Sequence, residues 1–314
     1  MPDFVVAHTQ RWIDRFTRQG HEVEPLAAGV EGAIYDLGGD LIAKVWRQRY
    51  ADDLQRMQSF YADVAAAGLP FATPEIFRVE TVDGTSVTYE RKLSGEPLQH
   101  RMGIDDPKIG LSNLRCIVDV LGALADVPAT ATMRQLAVLD ESQPLWAHAS
   151  SFPAALTGLL GRRFAQFGDV IRTHLQDYDR RYAALLDRLT LLDAQPDTVI
   201  HGDLFGGNIL VDDQSRPLAV LDFGFLTTAG DPRLDAAITA CVVNMYGPHA
   251  QAITQDLTAR IAQDLHYSSE VLLIYQAAYA AATSNAFTAD GSDGHFAWCM
   301  AQLRRADVSE VLGL

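Results

Sequence analysis

VIHGDLFGGNILVDD, residues 199–213, places three polar side chains in a short segment bordered by apolar residues. His201 and Asp203 flank a glycine, and Asn208 follows the aspartate by five residues, after a pair of glycines. Glycine adopts backbone conformations that other residues avoid, so it permits tight turns here. The apolar runs on either side are typical of β-strands. The segment is therefore expected to hold a polar loop between two short strands.

A second polar motif, LDFGF (221–225), begins a few residues later. The two strand-like runs between the motifs are joined by a turn-rich segment, DDQSRP. If they pair as an antiparallel hairpin with Val211 opposite Ala219, Asn208 lies opposite Asp222. An amide oxygen and a carboxylate are hard ligands suited to Mg²⁺, which usually takes one or two protein ligands and leaves the rest to water and substrate phosphates.

The organisation of the chain predicts an α+β fold with two lobes. Residues 1–94 are expected to form a small β-rich lobe with a helix near 51–67 and a hairpin at 77–93 that turns at Asp83-Gly84. Its other predicted strands are 23–27, 32–37 and 41–46. Residues 95–314 are mostly helical in pattern. The predicted helices are 110–127, 152–160, 168–192, 233–246, 248–265, 268–285 and 294–305.

Composition and charge exclude several partners. The 314 residues carry a formal net charge of −15, which disfavours nucleic acid and anionic membranes because both are negatively charged. Three scattered cysteines without a CxxC pair are typical of a reducing compartment, and no signal peptide precedes the chain, so a cytoplasmic location is expected. The longest apolar stretch is broken by Gln276 and is too short to span a membrane. Nothing in the composition indicates an oligomeric state.

The spacing H-x-D-x-x-x-x-N followed by D-F-G is typical of the catalytic and metal-binding loops of kinases. Phosphoryl transfer depends mostly on positioning and charge neutralisation. In this chemistry Asp203 orients the acceptor hydroxyl and takes its proton. Asn208 and Asp222 hold the magnesium ions that bridge the nucleotide phosphates. His201 is interpreted as a structural residue rather than a base.

This interpretation requires a lysine on the third strand of the first lobe. Lys44 lies there, as one of only three lysines in the chain, and is expected to contact the α- and β-phosphates. An acidic partner is expected on the following helix. Residues 51–67 contain no glutamate, so Asp53 is favoured over Asp52.

The remaining nucleotide contacts are predicted from position in the first lobe. Gly29 and Gly32 lie between the first two strands, where a phosphate-covering loop is expected, although the spacing is not GxGxxG. The hinge that grips the base with backbone groups is expected near the end of the hairpin, at Glu90 and Lys92.

Taken together, HGDLFGGN, LDFGF and the following GDPRLDAA resemble the aminoglycoside phosphotransferase / choline kinase-like family, the small-molecule branch of the protein-kinase fold. A glycine before Asp203, in place of arginine, resembles that branch specifically. The resemblance implies a two-lobed protein-kinase-like enzyme that uses ATP or GTP with Mg²⁺ to phosphorylate a small-molecule hydroxyl. It also implies that Asp235 supports the catalytic loop from a buried helix.

Three rival functions follow from the same motifs. A kinase acting on protein needs a long activation segment ending in APE, but only seven residues separate Gly224 from Pro232. A metal hydrolase built on the same acids gives no role to Lys44. A catalytically weak, nucleotide-binding regulator would be expected to lose Asp203, Asp222 or Lys44, and all three are present.

The sequence alone does not identify the acceptor molecule. Aminoglycosides, macrolides, sugars and amino sugars, hydroxy amino acids and choline-like alcohols all fit the motifs, in antibiotic resistance or in metabolism. Aromatic residues on the late helices are more typical of a core, but four polar or aromatic side chains there are candidates to line an acceptor pocket: Tyr246, Tyr275, Tyr279 and Asn285.

Overall fold

The computed structural model of the chain describes residues 2–29, 32–47 and 49–314, which form two compact units. The N-terminal unit comprises the residues up to Gly95 together with Leu218–Leu221. The C-terminal unit comprises Glu96–Pro217 and Asp222–Leu314. The first unit is rich in β-structure and the second is mostly helical, which confirms the predicted α+β class.

A five-stranded sheet with the order β1-β2-β3-β5-β4 forms the N-terminal unit, and all its neighbouring strands are antiparallel. The hairpin of β4 and β5 turns at Asp83 and Gly84, whose φ angles of +48° and +79° suit a two-residue turn between strands. The elements of this unit are α1 (Pro2–Arg18), β1 (Glu24–Ala28), β2 (Gly32–Asp36), β3 (Leu41–Trp46), α2 (Ala51–Ala66), β4 (Ile76–Val82) and β5 (Thr85–Arg91).

The core of this unit lies where α1 meets one face of the sheet. Trp12 and Phe16 of α1 pack in one cluster with Ala43 and Val45 of β3. Successive side chains of a strand point to opposite faces. Lys44 therefore lies on the opposite face from this core.

The C-terminal unit contains eight of the ten helices described for residues 2–29, 32–47 and 49–314. In it β7 pairs with β10 and β6 pairs with β8, both antiparallel. Most of β9 groups with the N-terminal unit, where Ala219 forms a parallel bridge with Ala72. The remaining elements are β6 (Glu96–Pro97), α3 (Leu111–Ala125), α4 (Phe152–His174), α5 (Tyr178–Thr190), β7 (Thr198–Ile200), β8 (Ile209–Val211), β9 (Pro217–Val220), β10 (Thr228–Gly230), α6 (Arg233–Val242), α7 (Ala250–Asp264), α8 (Ser269–Thr283), α9 (Gly294–Arg304) and α10 (Ala306–Leu312).

Helices α6 and α8 form the centre of the C-terminal unit. All ten residues of α6 are buried, and α6 packs on both α7 and α8. Helix α8 is buried over most of its length, as expected for a helix that is apolar on all sides. Within the described residues, no helix combines the length and the apolar character needed to cross a membrane.

The boundary between α4 and α5 differs from the sequence prediction of helices at 152–160 and 168–192. Helix α4 continues without a break to His174, and α5 begins at Tyr178. Gly158, Gly161 and Gly168 lie in this region, and glycine costs about 1 kcal/mol relative to alanine in a helix. Burial of Leu160, Arg163 and Phe167 along one side of α4 outweighs that cost.

Replacing Phe16 by alanine is expected to lower the free energy of unfolding by about 3–5 kcal/mol, because the buried ring leaves a cavity between α1 and the sheet. The matched control is Phe77→Ala, since Phe77 is 49% exposed and should change stability little. Urea unfolding followed by circular dichroism measures both values. Equal losses in the two variants would contradict the placement of the core.

Candidate active site

The loop that carries Asp203 connects β7 to β8 in the C-terminal unit. Gly202 has a φ angle of +78°, and a Cβ added there would lie 2.3 Å from the backbone carbonyl carbon of Leu226. Only glycine fits both this backbone conformation and the close approach. The backbone geometry of this turn therefore requires a glycine between His201 and Asp203.

Asp235 supports this loop from the first turn of α6. Its two carboxylate oxygens accept hydrogen bonds from the backbone N–H groups of His201 (2.7 Å) and Gly202 (2.8 Å). Asp235 is only 3% exposed. Burial raises the pKa of its carboxyl group to about 6, while the two backbone hydrogen bonds oppose that rise.

His201 is fully buried, and it forms hydrogen bonds within and next to the loop. Its Nδ1 accepts a hydrogen bond of 3.2 Å from the backbone N–H of Asp203. The hydroxyl of Thr227 donates to its carbonyl oxygen, and its ring lies 4.5 Å from the ring of Phe223. These contacts match a structural histidine better than a base.

Asn208 closes the other side of the loop. Its Nδ2 donates a hydrogen bond of 2.9 Å to the backbone carbonyl of Asp203, and its backbone N–H donates to the carbonyl of Phe205. Asn208 is 5% exposed. Because the amide nitrogen is occupied, Oδ1 is the atom through which Asn208 can act as a ligand.

Asp222 is exposed and has a φ angle of +50°, in the left-handed region that non-glycine residues seldom adopt. Backbone conformations of this kind cluster at functional sites. No group of three or more His, Cys, Asp or Glu side chains suited to a metal occurs among the described residues. The oxygen donors of Asn208 and Asp222 nevertheless fit Mg²⁺, which needs few protein ligands.

Lys44 lies on the sheet face opposite the α1 core of the N-terminal unit. Its Nζ is 3.9 Å from the centre of the Trp46 ring, within range of a cation–π interaction. The Trp46 indole N–H donates to Thr88 Oγ1 (2.9 Å), and the Thr88 hydroxyl donates to the carboxylate of Glu90. Thr88 is the register partner of Lys44. The buried Glu90 lies two residues along β5 on the same face.

Asp53 does not take the place that the sequence predicted for it. Its carboxylate forms an ion pair with Arg56, one turn along α2, instead of with Lys44. Asp53 lies in the first turn of that helix, where a basic residue three positions later is within easy reach. Glu90 is an acidic residue on the same sheet face as Lys44, two positions along β5 from its register partner Thr88.

The predicted hinge residues Glu90 and Lys92 lie at the end of β5 and just beyond it. Glu90 is paired on both sides by sheet neighbours, and the backbone N–H of Lys92 donates to the carbonyl of Asp40 (2.8 Å). The Lys92 ammonium forms an ion pair with Asp36. The Lys92 N–H is therefore already engaged, and Leu93 and Ser94 follow it in the irregular segment beyond β5.

Gly29 and Gly32 close the loop between β1 and β2. The Gly29 N–H donates a hydrogen bond of 2.8 Å to the carbonyl of Gly32. Gly32 has a φ of +153°, and a Cβ there would lie 1.9 Å from the carbonyl oxygen of Val45, so only glycine fits. Val30 and Glu31, between them in the predicted phosphate-covering loop, lie outside the described residues.

A cavity of about 590 Å³ opens beside the catalytic loop within the C-terminal unit, and Asp203 lines it. Of the four candidate lining residues on the late helices, Tyr246 and Tyr279 line this cavity. Tyr275 instead donates a buried hydrogen bond to Asp231, and Asn285 bonds to nearby backbone carbonyls.

Several lining residues were not anticipated from the sequence. The wall also includes Met102, Ile104, Phe225, Phe287 and His295. Most of them lie in loops or turns, where no periodic pattern marks a buried face. The available signal was a single large apolar residue in a polar loop, such as Ile104 in RMGIDDP.

Comparisons with known proteins agree with this geometry. A family model described as "Phosphotransferase enzyme family" matches residues 22–271. A search of curated proteins gave no match.

Solved structures share the fold at low sequence identity. The macrolide 2'-phosphotransferase MphH from Brachybacterium faecium is 18% identical, with a TM-score of 0.57 over 94% of this chain and 98% of that one. The aminoglycoside phosphotransferase APH(3'')-Id from Streptomyces rimosus is 14% identical, with a TM-score of 0.53 over 88% of this chain and 98% of that one.

A third structure, the streptomycin–ATP complex of APH(2")-IIa, is 12% identical, with a TM-score of 0.59 over 96% of this chain and 97% of that one. The family match spans most of the chain, and the shared fold is the kinase-like one that the loop motifs predicted. The chain therefore belongs to the phosphotransferase enzyme family and has an α+β, kinase-like fold.

Proposed function

We propose that the protein transfers the γ-phosphoryl group of ATP or GTP to a hydroxyl group of a small molecule, assisted by Mg²⁺. The observation that carries this proposal is the position of Asp203. It lies in the H-G-D loop, which Asp235 holds by hydrogen bonds, and it lines a cavity of about 590 Å³. A carboxylate in this position is able to orient a hydroxyl held in the cavity and accept its proton.

In the proposed reaction the acceptor oxygen forms a bond to the γ-phosphorus. The bond between that phosphorus and the β–γ bridging oxygen breaks, and its electron pair leaves on the nucleoside diphosphate. The hydroxyl proton passes to Asp203. The loop contributes mainly by fixing where this carboxylate lies, because phosphoryl transfer depends on positioning and on charge stabilisation.

Asn208, through Oδ1, and Asp222 are the proposed ligands of Mg²⁺. When bound, the ion neutralises charge that develops on the phosphate oxygens. Solved relatives have been described with ADP and streptomycin, with GDP and kanamycin, and with ATP and streptomycin. These complexes support the use of a nucleotide by this chain and leave ATP and GTP as alternatives.

The proposed nucleotide contacts of the N-terminal unit follow its geometry. Lys44 is the proposed phosphate-binding lysine, and the loop between Gly29 and Gly32 is the proposed phosphate cover. The backbone of Leu93 and Ser94 replaces that of Glu90 and Lys92 as the proposed contact for the base. Asp53, paired with Arg56, has no part in this proposal.

A catalytically weak, nucleotide-binding regulator is the second candidate function, and a kinase acting on protein is the third. A regulator predicts nucleotide binding without acceptor-stimulated turnover. The protein-kinase alternative is opposed by the short connection between Gly224 and Pro232, which leaves no room for a peptide-docking activation segment.

The test of the function is a screen for acceptor-dependent release of ADP or GDP in the presence of Mg²⁺. The acceptors are hydroxylated antibiotics, amino sugars, hydroxy amino acids and amino alcohols. Turnover that depends on one acceptor class supports the proposal. Nucleotide binding with no stimulation across the whole panel would favour the regulator.

Asp203→Ala is expected to reduce phosphoryl transfer by about 100-fold or more, because a positioned general base contributes about 10²–10⁴-fold. Nucleotide affinity, measured by titration calorimetry, should be unchanged. Asp213→Ala is the matched control, since Asp213 is a fully exposed aspartate just beyond β8. Wild-type transfer rates in Asp203→Ala would refute its assignment as the base.

Asp235→Asn is expected to lower both kcat and stability. An amide offers one acceptor oxygen, so one of the two loop N–H groups would face a donor, at a cost of about 1–3 kcal/mol. Thr239→Val is the matched control on the same helix, because the buried Thr239 hydroxyl has no hydrogen-bond partner among the described residues. If Asp235→Asn keeps the wild-type kcat, the loop does not depend on this carboxylate.

A further inference from the structure

The cavity beside Asp203 has a wall with very little charge. Among the described residues that line it, Asp203 is the single carboxylate, and the lining includes no lysine or arginine. His295 contributes no charge at neutral pH, since burial lowers the pKa of its imidazole. His100, at an exposed position, is the other lining histidine.

Asp105, the exposed neighbour of Ile104, does not line the cavity, and two other nearby carboxylates are engaged in hydrogen bonds. Asp106 accepts a hydrogen bond of 3.0 Å from the backbone N–H of Gly103. Asp293 caps α9 by accepting from the backbone N–H of Phe296 (2.8 Å) and also accepts from the Thr288 hydroxyl. A ligand with several ammonium groups would therefore lose hydration here without gaining several anionic partners.

The mouth of the cavity is apolar and exposed. Ile104, Tyr246 and Phe287 all line it, and they are 62%, 62% and 66% exposed. Single exposed apolar residues are ordinary, but three that converge on one cavity mark a ligand-binding surface. Phe225 stacks on Phe287 at 5.8 Å and continues this surface inward.

Tyr279 brings a hydroxyl group to the cavity from the buried helix α8. Tyr279 is 3% exposed and lines the cavity. Burial, reinforced by the negative charge of Asp203, keeps the pKa of this hydroxyl well above its usual value. Tyr279 is therefore a protonated hydroxyl that is able to donate a hydrogen bond to a ligand in the cavity.

We infer that the acceptor is an alcohol with a broad apolar face and at most one positive charge, and that its polar end is held between Asp203 and the Tyr279 hydroxyl. The apolar face covers Ile104, Tyr246 and Phe287. That this hydroxyl is phosphorylated rests on the proposed function. The binding preference itself does not depend on any reaction. Tyr279 is assigned as a positioning residue and the three mouth residues as specificity determinants.

Binding without nucleotide tests the preference directly. The probes are erythromycin, which has a broad apolar ring and one amine, digitoxigenin, a neutral steroid alcohol, and kanamycin, which has several ammonium groups and no apolar face. Calorimetric titration of the whole chain is expected to show at least about tenfold tighter binding of one apolar probe than of kanamycin, a difference of about 1.4 kcal/mol. Tighter binding of kanamycin, or binding of neither apolar probe, would overturn the inference.

Variants at the cavity mouth distinguish binding to a specific surface from nonspecific hydrophobic binding. Phe287→Ser is expected to weaken the bound apolar probe by about three- to tenfold through lost apolar burial. The matched control is Leu191→Ser, since Leu191 is 77% exposed and does not line the cavity. Conversely, Ile104→Glu should improve kanamycin binding by adding a second carboxylate. Equal effects of Phe287→Ser and Leu191→Ser would contradict the assigned surface.

Tyr279→Phe tests the positioning role. Loss of one hydrogen bond predicts a rise of about three- to tenfold in the KM for the apolar acceptor with kcat little changed, because the interaction contributes to binding. A purely structural tyrosine would change the unfolding midpoint and leave KM unaltered, and that result would refute the role. If the binding preference holds but no phosphoryl transfer occurs with any acceptor, the proposed function fails and the assignment of the cavity stands.

Discussion

The carboxylate of Asp235, buried on α6, accepts hydrogen bonds from the backbone N–H groups of both His201 and Gly202, and the geometry of the loop that carries Asp203 depends on these two bonds. Helix α6 is itself fixed by a buried network at its N-terminus. Arg233 forms a two-pronged ion pair with Asp231, whose carboxylate also accepts the Tyr275 hydroxyl from α8. A buried ion pair is tolerable only when its partners are satisfied, and here they are. The core helices therefore hold the loop that carries Asp203 in place through the carboxylate of Asp235.

This arrangement gives the C-terminal unit both the proposed base and the space for an acceptor. Asp203 belongs to a loop that its neighbours hold rigidly, yet its side chain contacts a cavity whose other walls come from apolar loop residues. Loops on a stable scaffold commonly carry binding residues, and the wall of this cavity follows that rule. The N-terminal unit carries a different kind of site, with Lys44 on the Trp46 ring and a buried glutamate on the same sheet face.

The sequence predicted the loop well and the surroundings less well, for physical reasons. The residues of H-x-D-x-x-x-x-N are set by chemistry and turn geometry, so their spacing is informative by itself. An acidic partner for Lys44 was predicted on α2, at Asp53. Asp53 forms an ion pair with Arg56, which lies one turn along the same helix. The hinge at Glu90 and Lys92 stays a prediction, although the Lys92 N–H already donates to the Asp40 carbonyl. The cavity wall joins loop residues that are distant in sequence and follow no period, so its apolar character became visible only in three dimensions.

The most direct test of the account is to follow the γ-phosphate itself. The protein would be incubated with γ-³³P-labelled ATP or GTP, Mg²⁺ and an apolar alcohol that it binds, and the products separated and analysed by mass spectrometry. The account predicts that the label moves to a single hydroxyl of the acceptor, as a stable phosphate ester, and that little label is released when the acceptor is omitted. Label found only as inorganic phosphate, or on the protein and never on the acceptor, would contradict it.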